Sequence, residues 1–226
     1  SHLAGVANLP EFLAEEYQSM PGYAGVLNDR VQTIATRLIE ADYNTYMTGK
    51  WHLGHDEKTL PSKRGFDRTF ILGGSGASNY NNQGYLPMKP IAHWYADGEE
   101  VELPEDFYSS KTYIDKTITF HEEEQNKNNP FFAYIAFQAI HAPVQAPREF
   151  VDHYKDSYKI GWNKLRQNRF AVFRNPAQHM FHDLRMLKGA VSEQTRGCFI
   201  AVRVIWVHSG TSVLICDHLW IDVYLK

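Results

Sequence analysis

The chain has 226 residues, enough for one large domain or two small ones, and its 43% hydrophobic and 22% charged residues are typical of a globular protein. Its formal net charge of −3 gives no electrostatic reason to expect nucleic acid or an anionic membrane as a general partner. The two cysteines, Cys198 and Cys216, are too few for a disulfide scaffold and too far apart for a Cys-x-x-Cys metal site.

The first strong element along the chain is an amphipathic helix. Five apolar residues recur at the spacing i, i+3, i+4, i+7 and i+8, namely Val31, Ile34, Ala35, Leu38 and Ile39. This spacing predicts a helix over residues 28–41 with one buried face, capped by Asn28 and ended by Asp42 and Tyr43. The following residues, Asn44 to Thr48, predict a short strand.

The next predicted elements alternate between helix and strand. Residues 61–107 are predicted to be rich in loops, with a glycine cluster at residues 73–76 and a short strand at residues 93–95. A second helix is predicted over residues 109–126. Residues 131–137, FFAYIAF, are apolar throughout and predict a strand buried on both faces. This alternation indicates an α/β fold with a parallel sheet. Short helices are predicted at residues 147–154 and 161–170.

Three basic side chains follow the two best-predicted strands. Lys50 and His52, in the run TGKWHLG, come directly after the first strand, and His141 follows the end of FFAYIAF by four residues. If both strands belong to one parallel sheet, all three residues emerge at its carboxyl edge, where ligands bind in open α/β sheets. A lysine suits a tetrahedral oxyanion, and a histidine can donate to the anion or transfer a proton. We therefore expect an anion pocket here.

Non-functional interpretations of the same residues stay open at this point. A lone lysine after a strand is most often a solvated charge, and a lone histidine is most often structural. Trp51 is expected to pack in the core. The run TGK lacks the frame of a phosphate-binding P-loop, and the glycine cluster at residues 73–76 lacks the spacing of a dinucleotide-binding loop.

Several longer blocks resemble the type I sulfatases, the arylsulfatase family. Residues 22–54, GYAGVLNDRVQTIATRLIEADYNTYMTGKWHLG, end in a run similar to that family's GKWHLG signature. RGFDRTF at residues 64–70, DFYSSKTYIDKTITF at 106–120 and PFFAYIAFQAIHAPVQAPREFVDHYKDSY at 130–158 resemble the next family blocks, in the same order and spacing. The resemblance covers residues 1–169.

The resemblance implies an alkaline-phosphatase-like α/β fold, here incomplete, with a mixed or parallel sheet flanked by helices. It also implies hydrolysis of sulfate esters. Lys50 and His52 match the family's sulfate-contacting lysine and histidine, and His141 matches the histidine after the buried strand, so these three are expected to be catalytic. Lys50 and His141 are also expected to bind substrate, together with Asn79, which lies in a loop that lines the pocket in similar enzymes.

The resemblance further implies partners and cofactors. The expected partner is a sulfated small molecule or a sulfated glycan, and the implied location is secreted, periplasmic or lysosomal. The family attacks sulfur with a formylglycine made from a C/S-x-P-S-R motif and holds a divalent cation, usually calcium, with an Asp pair and an Asp-Asn pair. This sequence contains neither the motif nor a match to the two pairs. We expect the motif before Ser1, the later metal ligands after Arg169, and no activity from this chain alone.

The resemblance to the sulfatase family stops near residue 170. Residues 1–169 are interpreted as a partial sulfatase catalytic domain, and residues 170–226 as a tail of unclear origin that does not resemble a sulfatase. A frame shift, a retained intron or a wrong gene model would account for the change. Apolar stretches in the tail could be strands, and the longest of them, at residues 198–207, is too short to span a bilayer.

Two other functions stay open on the sequence. One is a phosphodiesterase or phosphonate hydrolase of the same superfamily, which the identity of the missing nucleophile would discriminate. A non-catalytic, sulfatase-like protein would bind sulfated ligands without hydrolysing them. A misassembled chain that does not fold stably is a third possibility, because lost core strands would expose apolar faces and sheet edges.

Overall fold

A computed structural model of the protein describes five stretches of the chain: residues 2–7, 15–123, 129–173, 199–203 and 219–222. These residues belong to two compact units. The first consists of the described residues up to 145 and those after 196, and the second consists of residues 146–173.

The first unit is built on a mixed sheet. Its strands in chain order are β1 (Asn44–Lys50), β2 (Arg68–Leu72), β3 (Gln83–Leu86), β4 (Lys89–Ile91), β5 (Trp94–Ala96), β6 (Glu99–Glu100), β7 (Phe131–Ala136), β8 (Phe199–Arg203) and β9 (Leu219–Asp222). Seven of them form one sheet in the order β6-β5-β2-β1-β7-β8-β9, and β3 and β4 form a separate ribbon. The neighbours β2, β1, β7 and β8 are parallel, and β5, β6 and β9 are antiparallel to their partners. With the helices described below, this sheet confirms the predicted α/β fold.

The central strands β1 and β7 run in parallel and end within one residue of each other. Asn44 lies opposite Phe131, and Gly49 lies opposite Ala136. This pairing satisfies the condition on which the predicted convergence of the basic residues depends. Strand β1 extends two residues further than predicted, so Lys50 is its last residue and pairs with Leu72 of β2.

Two apolar layers cover the two faces of this sheet. Because successive side chains of a strand point to opposite faces, Tyr46 joins the layer that includes Tyr113 and Phe120 of helix α3 (Ser109–Glu123). Its neighbour Met47 joins the other layer, with Ala35 of helix α2 (Ile34–Ile39). Five of the six residues of β7 are buried, which confirms the expectation for FFAYIAF. Each large buried side chain contributes about 1.5–3 kcal/mol.

Helix α2 is shorter than the predicted helix, and the predicted cap is wrong. Thr33 is the N-cap, and its Oγ1 accepts a hydrogen bond from the Thr36 N–H at 3.1 Å. The Asn28 side chain instead accepts from the Arg30 N–H at 3.0 Å and donates to the Leu3 carbonyl at 3.0 Å. These local bonds hold the preceding residues in a turn and delay the start of the helix.

The residue that follows this helix adopts a left-handed conformation. Asp42 has φ 61°, a region that asparagine and aspartate reach more readily than other residues with a Cβ. The helix itself ends at Ile39, two residues before the predicted end at residue 41.

Strand β2 was not predicted, and it is central to the sheet. Residues 61–107 were expected to be rich in loops, but Arg68–Leu72 pair with β1 on one side and β5 on the other. Five residues are too few for a clear alternating pattern, and here both faces are buried, so no alternation exists. The short strand predicted at residues 93–95 is β5, one residue further along. Helix α3 is confirmed to Glu123, and the rest of its predicted span lies outside the described residues.

The second unit contains two helices, α4 (Arg148–Tyr154) and α5 (Trp162–Phe173), close to those predicted. The remaining short elements are helix α1 (Glu15–Gln18) and two 3-10 turns, His2–Ala4 and Pro61–Lys63. The predicted helical turn at residues 9–13 and both cysteines lie outside the described residues.

A substitution at Gly49 tests how closely β1 and β7 approach each other. It has φ 108°, and a Cβ there would lie 2.1 Å from the Ala136 carbonyl oxygen. We expect Gly49→Ala to lower the free energy of unfolding by ~1–3 kcal/mol or more, the usual cost of a strained backbone conformation. The atoms that the new Cβ would overlap belong to the backbone, so no side-chain rotation can relieve the overlap. Urea unfolding followed by circular dichroism measures this.

The matched control is Gly74→Ala, since nothing lies within 4 Å of a Cβ at that position. We expect it to change stability little. Equal effects of the two substitutions would contradict the close approach of the strands.

Candidate functional site

Loops from three neighbouring strands start at the carboxyl edge of the sheet. The chain leaves β1 through Trp51, whose N–H donates to the Leu72 carbonyl of β2 at 3.0 Å. The loop after β7 carries His141, whose Nδ1 lies 3.7 Å from the position that a Cβ on Gly76 would occupy. Gly76 belongs to the loop after β2, so the loops after β2 and β7 touch, and all three start at paired strand ends.

Lys50 and His52 lie where β1 ends. Both are half-buried. His52 has φ 56°, a left-handed backbone conformation that is uncommon for a residue with a Cβ. Such a conformation costs roughly 1–3 kcal/mol, and histidine adopts it more readily than most other residues with a Cβ.

Trp51 anchors this turn from the core side. Its side chain is 5% exposed, its Nε1 donates to the Thr59 carbonyl at 2.9 Å, and its ring meets the Phe66 ring edge-on, with centroids 6.4 Å apart. The predicted packing role of Trp51 is confirmed. Trp51 therefore fixes the backbone between Lys50 and His52 to the core.

The contacts of His141 define its tautomer. Its Nδ1 lies 2.7 Å from the Ala142 carbonyl oxygen. Because a carbonyl oxygen can only accept, the hydrogen-bond network places the proton on Nδ1. The Nε2 atom is then an acceptor in the neutral ring and a donor in the charged ring. The backbone N–H of His141 donates to the Gln138 carbonyl at 2.9 Å, which closes the turn.

Asn79 is a buried hub behind the His141 loop. It is 2% exposed, and its Oδ1 accepts from Ser109 Oγ at 2.6 Å and from Gln138 Nε2 at 2.9 Å. Its backbone N–H donates to Gln145 Oε1 at 2.7 Å, and its Nδ2 donates to the Pro143 carbonyl at 3.4 Å. These bonds join the loop after β2 to α3 and to the loop after β7. The contact of Asn79 with substrate stays a prediction.

Sequence reasoning missed two residues of this site. Gln138 is 4% exposed and, through the contacts above, supports both Asn79 and His141. Tyr85 packs edge-on against His141, with ring centroids 5.1 Å apart and an interplanar angle of 78°. The only available signal for Gln138 was a polar residue directly after a wholly apolar strand. No sequence signal marked Tyr85, because its contact with His141 spans a long stretch of chain.

The described part of the chain does not fit a calcium site. Among its residues, no group of three or more His, Cys, Asp or Glu side chains is placed to hold a metal ion. The C/S-x-P-S-R source of formylglycine is absent from the sequence. No helix in the described residues is both long and apolar enough to cross a membrane.

The family model for sulfatases matches residues 7–198. The chain belongs to the sulfatase family. It is 40% identical over 164 residues to an arylsulfatase of Klebsiella aerogenes, covering 72% of this chain and 35% of that protein. It is 35% identical over 179 residues to an uncharacterised sulfatase of Schizosaccharomyces pombe, covering 75% of this chain and 32% of that protein. The chain thus spans about a third of the length of these relatives.

A solved structure has a similar fold. The crystal structure of Ps i-CgsB in complex with k-i-k-neocarrahexaose matches with a TM-score of 0.54 and 25% identity, over 78% of this chain and 40% of that one. The resemblance and the fold class drawn from the sequence are confirmed. The family match runs past residue 169, and the separate nature of residues 170–226 stays a prediction.

The Asn79 hub can be tested by removing its side chain. We expect Asn79→Ala to lower the free energy of unfolding by about 1–3 kcal/mol, because buried donors on Ser109 and Gln138 lose their acceptor. Urea unfolding measures the change. The control is Asn82→Ala, a change at an exposed asparagine of the same loop. Two substitutions with the same small effect would show that Asn79 is not a structural hub.

Proposed function

We propose that the complete protein hydrolyses sulfate esters and that Lys50, His52 and His141 bind the sulfate group. The observation that carries the proposal is the pairing of Gly49 with Ala136, because it ends β1 and β7 within one residue of each other and starts the basic loops side by side. Membership of the sulfatase family supports the choice of sulfate over phosphate. The substrate would be a sulfated small molecule or a sulfated glycan.

Each basic residue has a distinct proposed role. The Lys50 ammonium offsets negative charge on the sulfate oxygens throughout the reaction. His52 donates a hydrogen bond to a non-bridging oxygen, held there by its fixed backbone. His141, with Nδ1 committed to the Ala142 carbonyl, uses Nε2 to donate a proton to the leaving oxygen as the sulfur–oxygen bond breaks. General acid catalysis of this kind contributes roughly 10²–10⁴-fold in rate.

This chain by itself would bind a sulfate group without turnover. A sulfatase needs an attacking group and a divalent cation, and the residues described here supply neither. The residue that becomes formylglycine and the ligands of the calcium ion, both implied by the resemblance, would lie in other parts of the complete protein. The secreted, periplasmic or lysosomal location implied by the resemblance stays a prediction.

Substitution of Lys50 in the complete protein tests the proposal. We expect Lys50→Ala to reduce kcat/KM for an aryl sulfate by about 10²–10³-fold, because a preorganised charge on the reacting group is lost. Lys58→Ala, at an exposed lysine in the loop after His52, is the control and should leave turnover unchanged.

The outcome also separates the alternative functions. Turnover by Lys50→Ala equal to that of the unmodified protein would remove Lys50 from the site. Turnover of a phosphodiester without any turnover of a sulfate ester would favour the phosphodiesterase alternative. Binding of sulfate esters without hydrolysis by the complete protein would favour a non-catalytic sulfatase-like protein.

A further inference from the structure

Two glutamines bracket His141 in the loop after β7. Gln138 lies three residues before His141, and Gln145 lies four residues after it. Both side chains form a hydrogen bond with the same residue, Asn79 of the loop after β2. We call this pair of contacts the glutamine clamp. It holds the loop close to His141 on either side, instead of only at the ends of the loop.

The Gln138 arm of the clamp uses an amide donor. Gln138 is 4% exposed, and its Nε2 donates to Asn79 Oδ1 at 2.9 Å and to the Ser78 carbonyl at 3.3 Å. Because a carbonyl oxygen can only accept, the contact with Ser78 assigns the nitrogen of this amide. The Gln138 carbonyl accepts from the His141 N–H at 2.9 Å. One residue therefore anchors the loop through its side chain and closes the turn of His141 through its backbone.

The Gln145 arm of the clamp uses an amide acceptor. The Oε1 atom of Gln145 accepts from the Asn79 backbone N–H at 2.7 Å. Between His141 and Gln145, the Pro143 carbonyl accepts from Asn79 Nδ2 at 3.4 Å. Proline fixes its own φ at about −65°, which reduces the freedom of the chain between the two contacts. Both halves of the loop therefore rest on Asn79.

Asn79 is a fixed base for both arms of the clamp. It is 2% exposed, and its Oδ1 also accepts from Ser109 Oγ at 2.6 Å. Its carbonyl accepts from the Ser109 N–H at 2.9 Å. Ser109 is the first residue of α3, so the clamp is connected to a helix and not only to another loop. The two donors, on Ser109 and Gln138, occupy both lone pairs of Asn79 Oδ1 and commit that atom to the protein.

The chemistry proposed for His141 needs its loop to be fixed. The bond from Nδ1 to the Ala142 carbonyl lies within the loop and moves with it, so it orients the ring without placing the loop. A general acid acts only within hydrogen-bond reach of the oxygen that it protonates. A misplacement of about 1 Å can cost on the order of 10²-fold in rate.

We propose that Gln138 and Gln145 are positioning residues, which hold the His141 loop on Asn79 and thereby place His141 Nε2 against the leaving oxygen. The proposal rests on the proposed function, in which that Nε2 donates the proton as the sulfur–oxygen bond breaks. Neither glutamine needs to touch the substrate. Asn79 then contributes to the site through the loop that it holds.

Turnover of two aryl sulfates by the complete protein tests the clamp. Phenol is a weaker acid than 4-nitrophenol, so phenyl sulfate depends more on proton donation to its leaving oxygen than 4-nitrophenyl sulfate does. We expect Gln138→Ala and Gln145→Ala to lower kcat/KM by about 10–10²-fold for phenyl sulfate and by less than about threefold for 4-nitrophenyl sulfate. A loss of folded protein lowers both values equally, so the ratio of the two kcat/KM values reports position and not stability.

A matched pair of glutamate substitutions makes the test specific to the two hydrogen bonds. Gln138→Glu replaces the donor to Asn79 with a carboxylate oxygen, which can only accept, so it should change the ratio at least as much as Gln138→Ala does. Gln145→Glu keeps an acceptor for the Asn79 N–H and should change the ratio by less than about threefold. The two substitutions add the same charge on either side of His141, so charge alone cannot explain a difference.

Proton NMR of this chain gives a readout that does not depend on turnover. The rings of His141 and Tyr85 lie on different loops with centroids 5.1 Å apart, so nuclear Overhauser effects between their ring protons report where the His141 loop lies. We expect these signals in the unmodified chain and in Gln145→Glu. They should be weakened or lost in Gln138→Glu and in both alanine variants.

The outcomes separate the clamp from the proposed function. Unchanged ratios in both alanine variants, or equal effects of the two glutamate substitutions, would overturn the clamp as a positioning device, even if the ring contact were lost. Ratios that do not respond to His141→Ala would overturn the proposed role of His141 instead, and the NMR signals would still decide whether the glutamines place the loop. The alanine variants and Gln145→Glu keep the proposal falsifiable if Gln138→Glu does not fold.

Discussion

The parallel pairing of β1 with β7 is the interaction on which the rest of this structure depends. Both strands are buried on both faces, so a slip of one residue would move every side chain of a strand to the opposite apolar layer. Gly49 reinforces the register, since its missing Cβ is what lets the two backbones meet at the end of the pair. The positions of Lys50 and His141 follow from where these strands stop.

Buried polar contacts hold the loops that carry the candidate site residues. Loops lack the regular backbone hydrogen bonds that fix strands in a sheet. The turn that carries His141 is held instead by Gln138, which in turn donates to Asn79. Trp51 performs the equivalent task for the turn after β1. The turns that carry the candidate basic residues are therefore attached to uncharged, buried neighbours.

The sequence predicted the parts of the fold whose signal is local. Seven consecutive apolar residues identified β7, and helical spacing identified α3. The cap of α2 was predicted wrongly, because Asn28 makes turn contacts that no periodicity reveals. Strand β2 was missed because five residues with both faces buried carry no alternating pattern. Contacts such as that of Gln138 with Asn79, which are 59 residues apart, depend on the finished topology and lie beyond any single-sequence pattern.

The measurement that most directly tests the convergence of the two strand ends is a double-mutant cycle for sulfate binding to this chain, with Lys50→Ala, His141→Ala and the double variant. If both side chains contact one bound sulfate, their losses will not add, and the coupling free energy will be about 0.5–3 kcal/mol. Losses that add to within about 0.3–0.5 kcal/mol would mean that the two residues act independently, and would contradict a shared site.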